Sequence, residues 1–285
     1  MTEFSNRDIA DYYNQTLIHY KRWWKLEKYL SVHYGVWDNT TNNFAEALLN
    51  TNKVMMEIAN VKEDDHVLDA GCGVGGSGVF LATNKKAKVS GVTLSEKQYD
   101  FALKISNKLN LNHLLDFKLE DYSKTSYPNN HFNFIWCIES ITSASDKELF
   151  AREAFRLLKP GGKLIIADYF NTSQKKGDPK NYLDNWRKIW NMAPIESMDD
   201  YVPKFTAADF SLTENHNFTK EIFPTAKRMY YSYLFGALPA ITYNMLYKNV
   251  SRFGKTNYKS GYYQYKALKK GLWEYRILLF KKSSD

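Results

Sequence analysis

Residues 66–78 read HVLDAGCGVGGSG, and this glycine-dense turn constrains the fold of the chain more than any other segment. Val67 and Leu68 are apolar, as at the end of a buried parallel strand, and a short apolar run at 79–82 opens a helix after the turn. Glycine is needed where the backbone approaches a ligand closely or adopts a positive φ. The pattern therefore predicts a ligand against bare backbone at the carboxyl end of a strand, where open α/β sheets bind ligands.

Two cofactors compete for this turn. Gly71, Gly73 and Gly76 satisfy G-x-G-x-x-G, the dinucleotide fingerprint, but NAD also needs an acidic residue about 20 positions further on to hold its ribose. Residues 91–95 read GVTLS and contain no acid. Asp69 at the strand tip suits an ammonium group, which S-adenosylmethionine carries without any phosphate. We therefore expect S-adenosylmethionine, and a plain turn with a capping aspartate is the structural alternative.

Five segments carry a resemblance to the class I S-adenosylmethionine-dependent methyltransferases, over at least residues 54–170. They read VLDAGCG at 67–73, GVTLSEKQ at 91–98, LEDY at 119–122, YPNNHFN at 127–133 and LLKPGGKL at 157–164. The form TLSxxQ after the second strand resembles the branch that contains tocopherol, sterol and cyclopropane-fatty-acid methyltransferases. The segment HYGVWD at 33–38 resembles tocopherol and plant alkaloid members. The resemblance implies an enzyme that methylates a small molecule.

The resemblance also implies which residues contact the cofactor. Its methionine part is expected against Gly71, Gly73 and Gly75, with Asp69 near the ammonium group. Its adenosine part is expected at the tip of the second strand and beyond, and Gln98 has a second interpretation as a helix cap, because Ser95 and Gln98 stand at capping-box spacing. The expected adenosine contacts, together with two further cofactor residues, are Thr93, Leu94, Gln98, Asp121 at the adenine amine, Tyr122 flanking the ring, Tyr34 and Ile138.

Glu139 and His33 are the candidate catalytic residues. Glu139 ends the strand that faces the methyl group, where a carboxylate could orient an acceptor or balance developing positive charge. In the cyclopropane synthases a Glu-His pair at this point belongs to a bicarbonate site, but Ser140 follows Glu139 here, which disfavours cyclopropanation. His33 lies on the predicted N-terminal flap and could also be a packed residue. Cys72 and Cys137 lack metal-ligand spacing, so we predict no metal.

Alternating strands and helices predict an α/β fold with a doubly wound, Rossmann-like sheet. The resemblance implies seven strands with an antiparallel last strand, and a helical acceptor cap. We divide the chain into an N-terminal helical flap (1–50), a cofactor-binding core (51–170) and an aromatic cap with the last two strands (171–285). Finer predictions are a helix over 8–30, a capping box of Ser145 and Glu148, a helix over 205–212, and strands over 215–223 and 273–281.

Composition bears on the acceptor and on the location. Residues 225–265 are rich in tyrosine, which could be ordinary core or, as the resemblance implies for this region, part of an apolar acceptor pocket able to stabilise a cation. The net charge is +8, and the basic residues near the cap could meet a phosphate or carboxylate or could be ordinary surface. They are Lys227, Arg228, Lys248, Arg252 and Lys255. Neither a run of about 18 apolar residues nor a secretory signal occurs, so we expect a cytoplasmic protein without a membrane span, peripheral contact remaining open.

The predicted reaction is methyl transfer to carbon or nitrogen of an apolar or amphipathic small molecule of prenyl, sterol, quinone or alkaloid type. The alternatives within the same fold are an O-methyltransferase and a fatty-acyl-modifying enzyme. An RNA-binding methyltransferase and an NAD-dependent oxidoreductase rank lower. No nucleic-acid partner is expected, because residues 138–141 read IESI where base-modifying enzymes often carry Asn-Pro-Pro-Tyr. The oligomeric state stays open.

Overall fold

A computed structural model describes residues 4–175, 177–247 and 252–284 of the chain. Its centre is a single sheet of seven strands in the order β3-β2-β1-β4-β5-β7-β6. The strands are β1 (His66–Ala70), β2 (Lys88–Thr93), β3 (Leu115–Leu119), β4 (Phe132–Ile138), β5 (Leu158–Asn171), β6 (Phe210–Asn217) and β7 (Trp273–Lys282).

All neighbouring strands of the sheet are parallel except in the two pairs that β7 forms. The pairs β1–β2, β1–β4, β2–β3 and β4–β5 are parallel, whereas β7 runs antiparallel to both β5 and β6. This arrangement confirms the predicted doubly wound fold with an antiparallel last strand. The strand order reverses between β1 and β4, and ligands of open α/β sheets bind in the crevice at such a switch point.

Helices cover both faces of the sheet, because the strands are apolar on both sides. One buried cluster includes Val67 and Trp136, and the other includes Leu68 and Ile135, so neighbouring residues of one strand serve opposite layers. The helices are α1 (Asn6–Trp23), α2 (Leu26–Tyr29), α3 (Phe44–Ala59), α4 (Gly76–Lys85), α5 (Glu96–Lys108), α6 (Lys147–Leu157), α7 (Tyr182–Ile189), α8 (Met198–Thr206), α9 (Phe223–Leu246), α10 (Arg252–Thr256) and α11 (Ser260–Lys269).

Four finer predictions were wrong. The helix expected over 8–30 is broken, because Lys25 adopts a left-handed conformation (φ 50°) and α2 follows separately. Asp146, not Ser145, caps α6, since its carboxylate accepts a hydrogen bond from the Leu149 amide at 2.8 Å. The helix expected over 205–212 and the strand expected over 215–223 do not form with these bounds. Instead, α8 ends at Thr206, and β6 spans Phe210–Asn217. Side chains of β6 alternate between more and less exposed positions, as expected for an edge strand.

Among the described residues, no helix has both the length and the apolar character needed to cross a membrane.

Candidate functional site

A cavity of about 330 Å³ opens at the carboxyl ends of β1, β2 and β4, under the N-terminal helix α1. Predicted site residues and residues of α1 line it together. The predicted lining residues are His33, Asp69, Gly71, Gly73, Thr93, Leu94, Gln98, Asp121, Tyr122, Ile138 and Glu139. Gly75 and Tyr34, which were also predicted to contact the cofactor, are not among the lining residues.

The glycine turn forms one wall of the cavity, and its backbone conformation favours glycine at both Gly71 and Gly73. Gly71 has φ +85°, and a Cβ there would lie 2.5 Å from the Cβ of Ser140. Gly73 also has a positive φ, +54°. Gly75 acts differently, because its own Cβ would lie 2.8 Å from the ring of Phe117 and so its smallness serves the packing of α4. The turn therefore presents bare backbone to a ligand at Gly71 and Gly73.

Asp69 is a buried acidic residue whose side chain lines the cavity. Its Oδ2 has no hydrogen-bond partner among the described residues, and the side chain is 3% exposed. Desolvation by burial raises the pKa of Asp69 to about 7. An unpaired buried carboxylate is costly, and a bound cation would remove that cost. The site therefore fits the ammonium end of S-adenosylmethionine.

The tip of β2 orients Gln98 toward the glycine turn. The Thr93 hydroxyl donates to Gln98 Oε1 at 3.0 Å, and Gln98 Nε2 faces Gly73. The backbone amide of Gln98 donates to Ser95 Oγ at 3.2 Å, so Ser95 caps α5 as expected. The side chain of Gln98 is directed to Thr93 and the cavity. Only the backbone amide of Gln98 therefore takes part in the predicted cap, and its side chain does not.

Asp121 and Tyr122 follow β3 and line the same cavity, where the ring of Tyr122 lies near the glycine turn. The Asn6 side-chain amide donates to Asp121 Oδ2 at 2.6 Å, and the Ser123 backbone amide donates to Oδ1 at 2.7 Å. Each carboxylate oxygen keeps a second acceptor position, so an adenine amine remains compatible with this arrangement. The Tyr122 hydroxyl donates to the Ser140 carbonyl at 3.0 Å, which holds its ring at the cavity wall.

Glu139 has the most strongly organised carboxyl group of the cavity. Its Oε1 accepts from the Tyr34 backbone amide at 2.6 Å and from the Tyr275 hydroxyl at 3.0 Å, and its Oε2 accepts from the Tyr169 hydroxyl. Its backbone is left-handed, with φ 52°. Desolvation raises the pKa of Glu139 to about 8, although the hydrogen bonds from Tyr169, Tyr34 and Tyr275 oppose the rise.

His33 lines the cavity, but both of its ring nitrogens have partners. Nδ1 lies 2.9 Å from the Tyr34 carbonyl, which can only accept, so Nδ1 carries the proton. Nε2 then accepts from the Asn52 side-chain amide at 3.4 Å. Burial lowers the pKa of His33 to about 4. This geometry favours the packed role of His33 and does not support a catalytic base.

Tyr34 contributes to the site through its backbone. Its side chain is fully buried, and its hydroxyl donates to Gln264 Oε1 at 2.7 Å. Its amide instead reaches Glu139, as described above. The sequence contains no local signal for that contact, because 105 positions separate the two residues.

An aromatic chamber completes the cavity beside Glu139, and α1 supplies much of it. The chamber is defined as Tyr12, Tyr13, Tyr20, Trp24, Tyr169 and Trp190. The expectation that residues 225–265 form the acceptor pocket was wrong for the part of that stretch the structure describes, since none of those residues lines the cavity. The aromatic content of α1 predicted that this helix covers the acceptor site, although spacing alone did not show which of its side chains face the cavity.

The charges around the cavity are acidic. Asp69, Asp121, Glu139 and Asp146 line it, and within the described chain no lysine or arginine does. Lys227, Arg228 and the Lys255 backbone lie elsewhere on the described surface, so they do not form the expected anion site in this cavity. Lys248 and the Arg252 side chain lie outside the described residues.

Comparison with known proteins identifies the family. The family model described as mycolic acid cyclopropane synthetase matches residues 3–245. The chain belongs to this family. It is 28% identical over 230 residues to methyltransferase GfsG of Streptomyces halstedii, covering 79% of this chain and 80% of that protein. It is 27% identical over 219 residues to the chloroplastic tocopherol O-methyltransferase of Arabidopsis thaliana, covering 70% of this chain and 62% of that protein.

Solved structures share the fold. The mycolic acid cyclopropane synthase CmaA1, complexed with SAH and CTAB, superimposes with a TM-score of 0.84 at 14% identity, covering 98% of this chain and 99% of that chain. Geranyl diphosphate C-methyltransferase from Streptomyces coelicolor superimposes with a TM-score of 0.75 at 18% identity, covering 97% of both chains. The chain is thus an S-adenosylmethionine-dependent methyltransferase, which confirms the predicted enzyme class and cofactor.

Proposed function

We propose that the enzyme methylates carbon or nitrogen of an apolar or amphipathic small molecule that is neutral or becomes cationic. The observation that carries this proposal is the position of Glu139, which lies between the glycine turn and the aromatic chamber and is held by three hydrogen-bond donors. When bound, S-adenosylmethionine supplies an electrophilic methyl group on a sulfonium. The protein then has to position both molecules and exclude water.

The cofactor-binding roles proposed from the sequence suit the residues that line the cavity. Asp69 would pair with the ammonium group, and the bare backbone of Gly71 and Gly73 would contact the methionine part. Gln98 and the tip of β2 would contact the ribose, and Asp121 with Tyr122 would contact the adenine. The orphaned Oδ2 of Asp69 and the positions of Gly71 and Gly73 in the cavity lining support this orientation.

The charge of the cavity supports a neutral or cation-forming acceptor. Aromatic faces and nearby carboxylates stabilise positive charge, whereas a buried phosphate needs cationic partners. Methylation of an amine or of an electron-rich carbon produces positive charge, which the chamber and Glu139 would stabilise. The anionic acceptor tail expected from the basic residues near the cap finds no support in the lining.

Glu139 would act as a carboxylate that stabilises this charge or accepts a proton. Its pKa of about 8 is close to working pH, as efficient proton transfer requires. An O-methyltransferase is the second candidate, because tocopherol O-methyltransferase is a relative and Glu139 could also deprotonate a hydroxyl. Cyclopropanation is not proposed, for the reason given with the sequence.

Methyl transfer from an isotopically labelled donor into a metabolite extract tests the proposal. The expected product is a small molecule with the label on carbon or nitrogen. A product labelled on oxygen would favour the second candidate. Labelled RNA or protein as the product, or an acceptor with a phosphate, would contradict the proposal.

A further inference from the structure

Helix α9 exposes an apolar stripe that the proposed function does not use. Tyr231, Leu234, Phe235, Leu238, Ile241 and Met245 stand at positions i, i+3, i+4, i+7, i+10 and i+14, so they share one face of the helix. The exposed fractions reach 80% for Phe235, 74% for Leu238 and 80% for Met245. Large apolar side chains this exposed on one face mark an interaction surface.

The opposite face of α9 packs against the rest of the protein. The stripe is therefore an exposed surface of a helix that is already held in place, and it is not part of the hydrophobic core. Tyr230 stacks on Tyr265 of α11 with ring centroids 4.6 Å apart, and Tyr233 lies 5.3 Å from Tyr262 by the same measure. The Gly261 Cα approaches so closely that a Cβ there would lie 2.3 Å from the Met229 carbonyl oxygen. The helix is therefore anchored on one side and presents the stripe on the other.

The sequence segment that contains the stripe carries charge of a single sign. Residues 222–273 contain no Asp or Glu, and their basic residues are Lys227, Arg228, Lys248, Arg252, Lys255, Lys259, Lys266, Lys269 and Lys270. Lys227 begins the stripe, with its Nζ 5.8 Å from the ring centroid of Tyr231. Near the other end, the Asn244 side-chain amide donates to the Lys255 carbonyl at 3.1 Å, which places that segment beside α9.

We propose that α9 docks this enzyme on the surface of an anionic lipid bilayer. An exposed apolar helical surface with basic residues near both of its ends suits a helix that lies in the interface of an anionic membrane. A second copy of the chain fits less well, because pairing the stripes would bring two acid-free basic segments together. The helix would lie on the bilayer without spanning it. This inference does not depend on the identity of the acceptor.

Vesicle flotation tests the docking directly. We expect the protein to bind vesicles of three parts phosphatidylcholine to one part phosphatidylglycerol, and to bind pure phosphatidylcholine vesicles far more weakly. Binding should fall with added salt, because the basic residues contribute a screened attraction. The double variant Phe235→Glu with Leu238→Glu should bind the charged vesicles at least about tenfold more weakly.

The matched control is the double variant Leu49→Glu with Leu109→Glu. These leucines are 50% and 45% exposed on α3 and at the end of α5, so the control adds the same charge elsewhere. It should bind vesicles nearly as the wild type does, and all three proteins should bind S-adenosylhomocysteine equally. Equal vesicle binding by the two double variants would overturn the proposal. The proposal would also be overturned if the wild-type protein did not bind charged vesicles but formed a dimer that the α9 double variant does not form.

Discussion

The unpaired carboxylate of Asp69 predicts that cofactor affinity depends on pH. The ionised form would bind the ammonium group, whereas the protonated form would not. Burial raises the pKa of Asp69 from 3.8 to about 7, so protonation competes with binding throughout the mildly acidic range. We therefore expect the affinity for S-adenosylhomocysteine, which keeps the ammonium group, to rise as pH rises toward 7.

The size of the effect follows from the ionised fraction. With a pKa of about 7, that fraction falls about 25-fold between pH 7.5 and pH 5.5, which corresponds to about 2 kcal/mol of binding free energy. The α-amino group of the ligand stays mostly protonated up to about pH 7.7, so it contributes little over this range. Binding at pH 6 should therefore release close to one proton.

The raised pKa of Asp69 also makes the stability of the ligand-free protein depend on pH. In contrast to the cofactor affinity, this stability falls as pH rises. Because the folded-state pKa is raised, the contribution of Asp69 to stability is fully present below pH 3.8 and is lost as pH rises through about 7. The loss is on the order of 4 kcal/mol when ionisation is complete, since it equals the pKa difference in energy terms. The variant Asp69→Asn should therefore unfold with a weaker dependence on pH.

Isothermal titration calorimetry in two buffers of different ionisation enthalpy measures both affinity and proton release. Asp69→Asn should bind more weakly and with little pH dependence. A desamino analogue of S-adenosylhomocysteine should bind the wild type without the pH dependence, because it lacks the ammonium group. A wild-type affinity that stays constant from pH 5.5 to 7.5 would refute the pairing of Asp69 with the ammonium group.

Three further outcomes are expected. Tyr275→Phe removes a hydrogen bond to Glu139, so the rising limb of the pH–rate profile should move above about pH 8, and an unmoved limb would contradict that contact. Gly71→Ala should weaken S-adenosylhomocysteine binding at least about tenfold, measured by calorimetry, because its Cβ would meet Ser140; unchanged binding would remove the turn from the site. Asn6→Ala frees Asp121 from α1, so KM should rise about three- to tenfold with the melting temperature nearly unchanged.

Local signals account for what the sequence predicted well. The turn around Gly71 and Gly73 needs positive φ, and that requirement is written in the residue types themselves. The parallel strands also follow from short apolar runs between helices. These features depend on residues that are neighbours in the chain, which is why one sequence suffices to predict them.

Contacts between distant segments account for what was missed. The N-terminal flap was expected to cover the acceptor site, but the sequence did not indicate that Asn6 of α1 would meet Asp121 across 115 positions. The prediction that the tyrosines of 225–265 form the acceptor pocket failed for a similar reason, because composition does not reveal which way a helix faces. Residues such as Tyr231 and Phe235 point to the surface and away from the cavity.

Turnover of Glu139→Gln tests the central claim most directly, namely that donor and acceptor meet at this carboxyl group. The control is Glu63→Gln, which removes an exposed carboxylate that pairs with Lys86. We predict that Glu139→Gln lowers kcat at least about 100-fold and changes the affinity for S-adenosylhomocysteine less than about threefold. Normal turnover of Glu139→Gln on the identified acceptor would contradict the account.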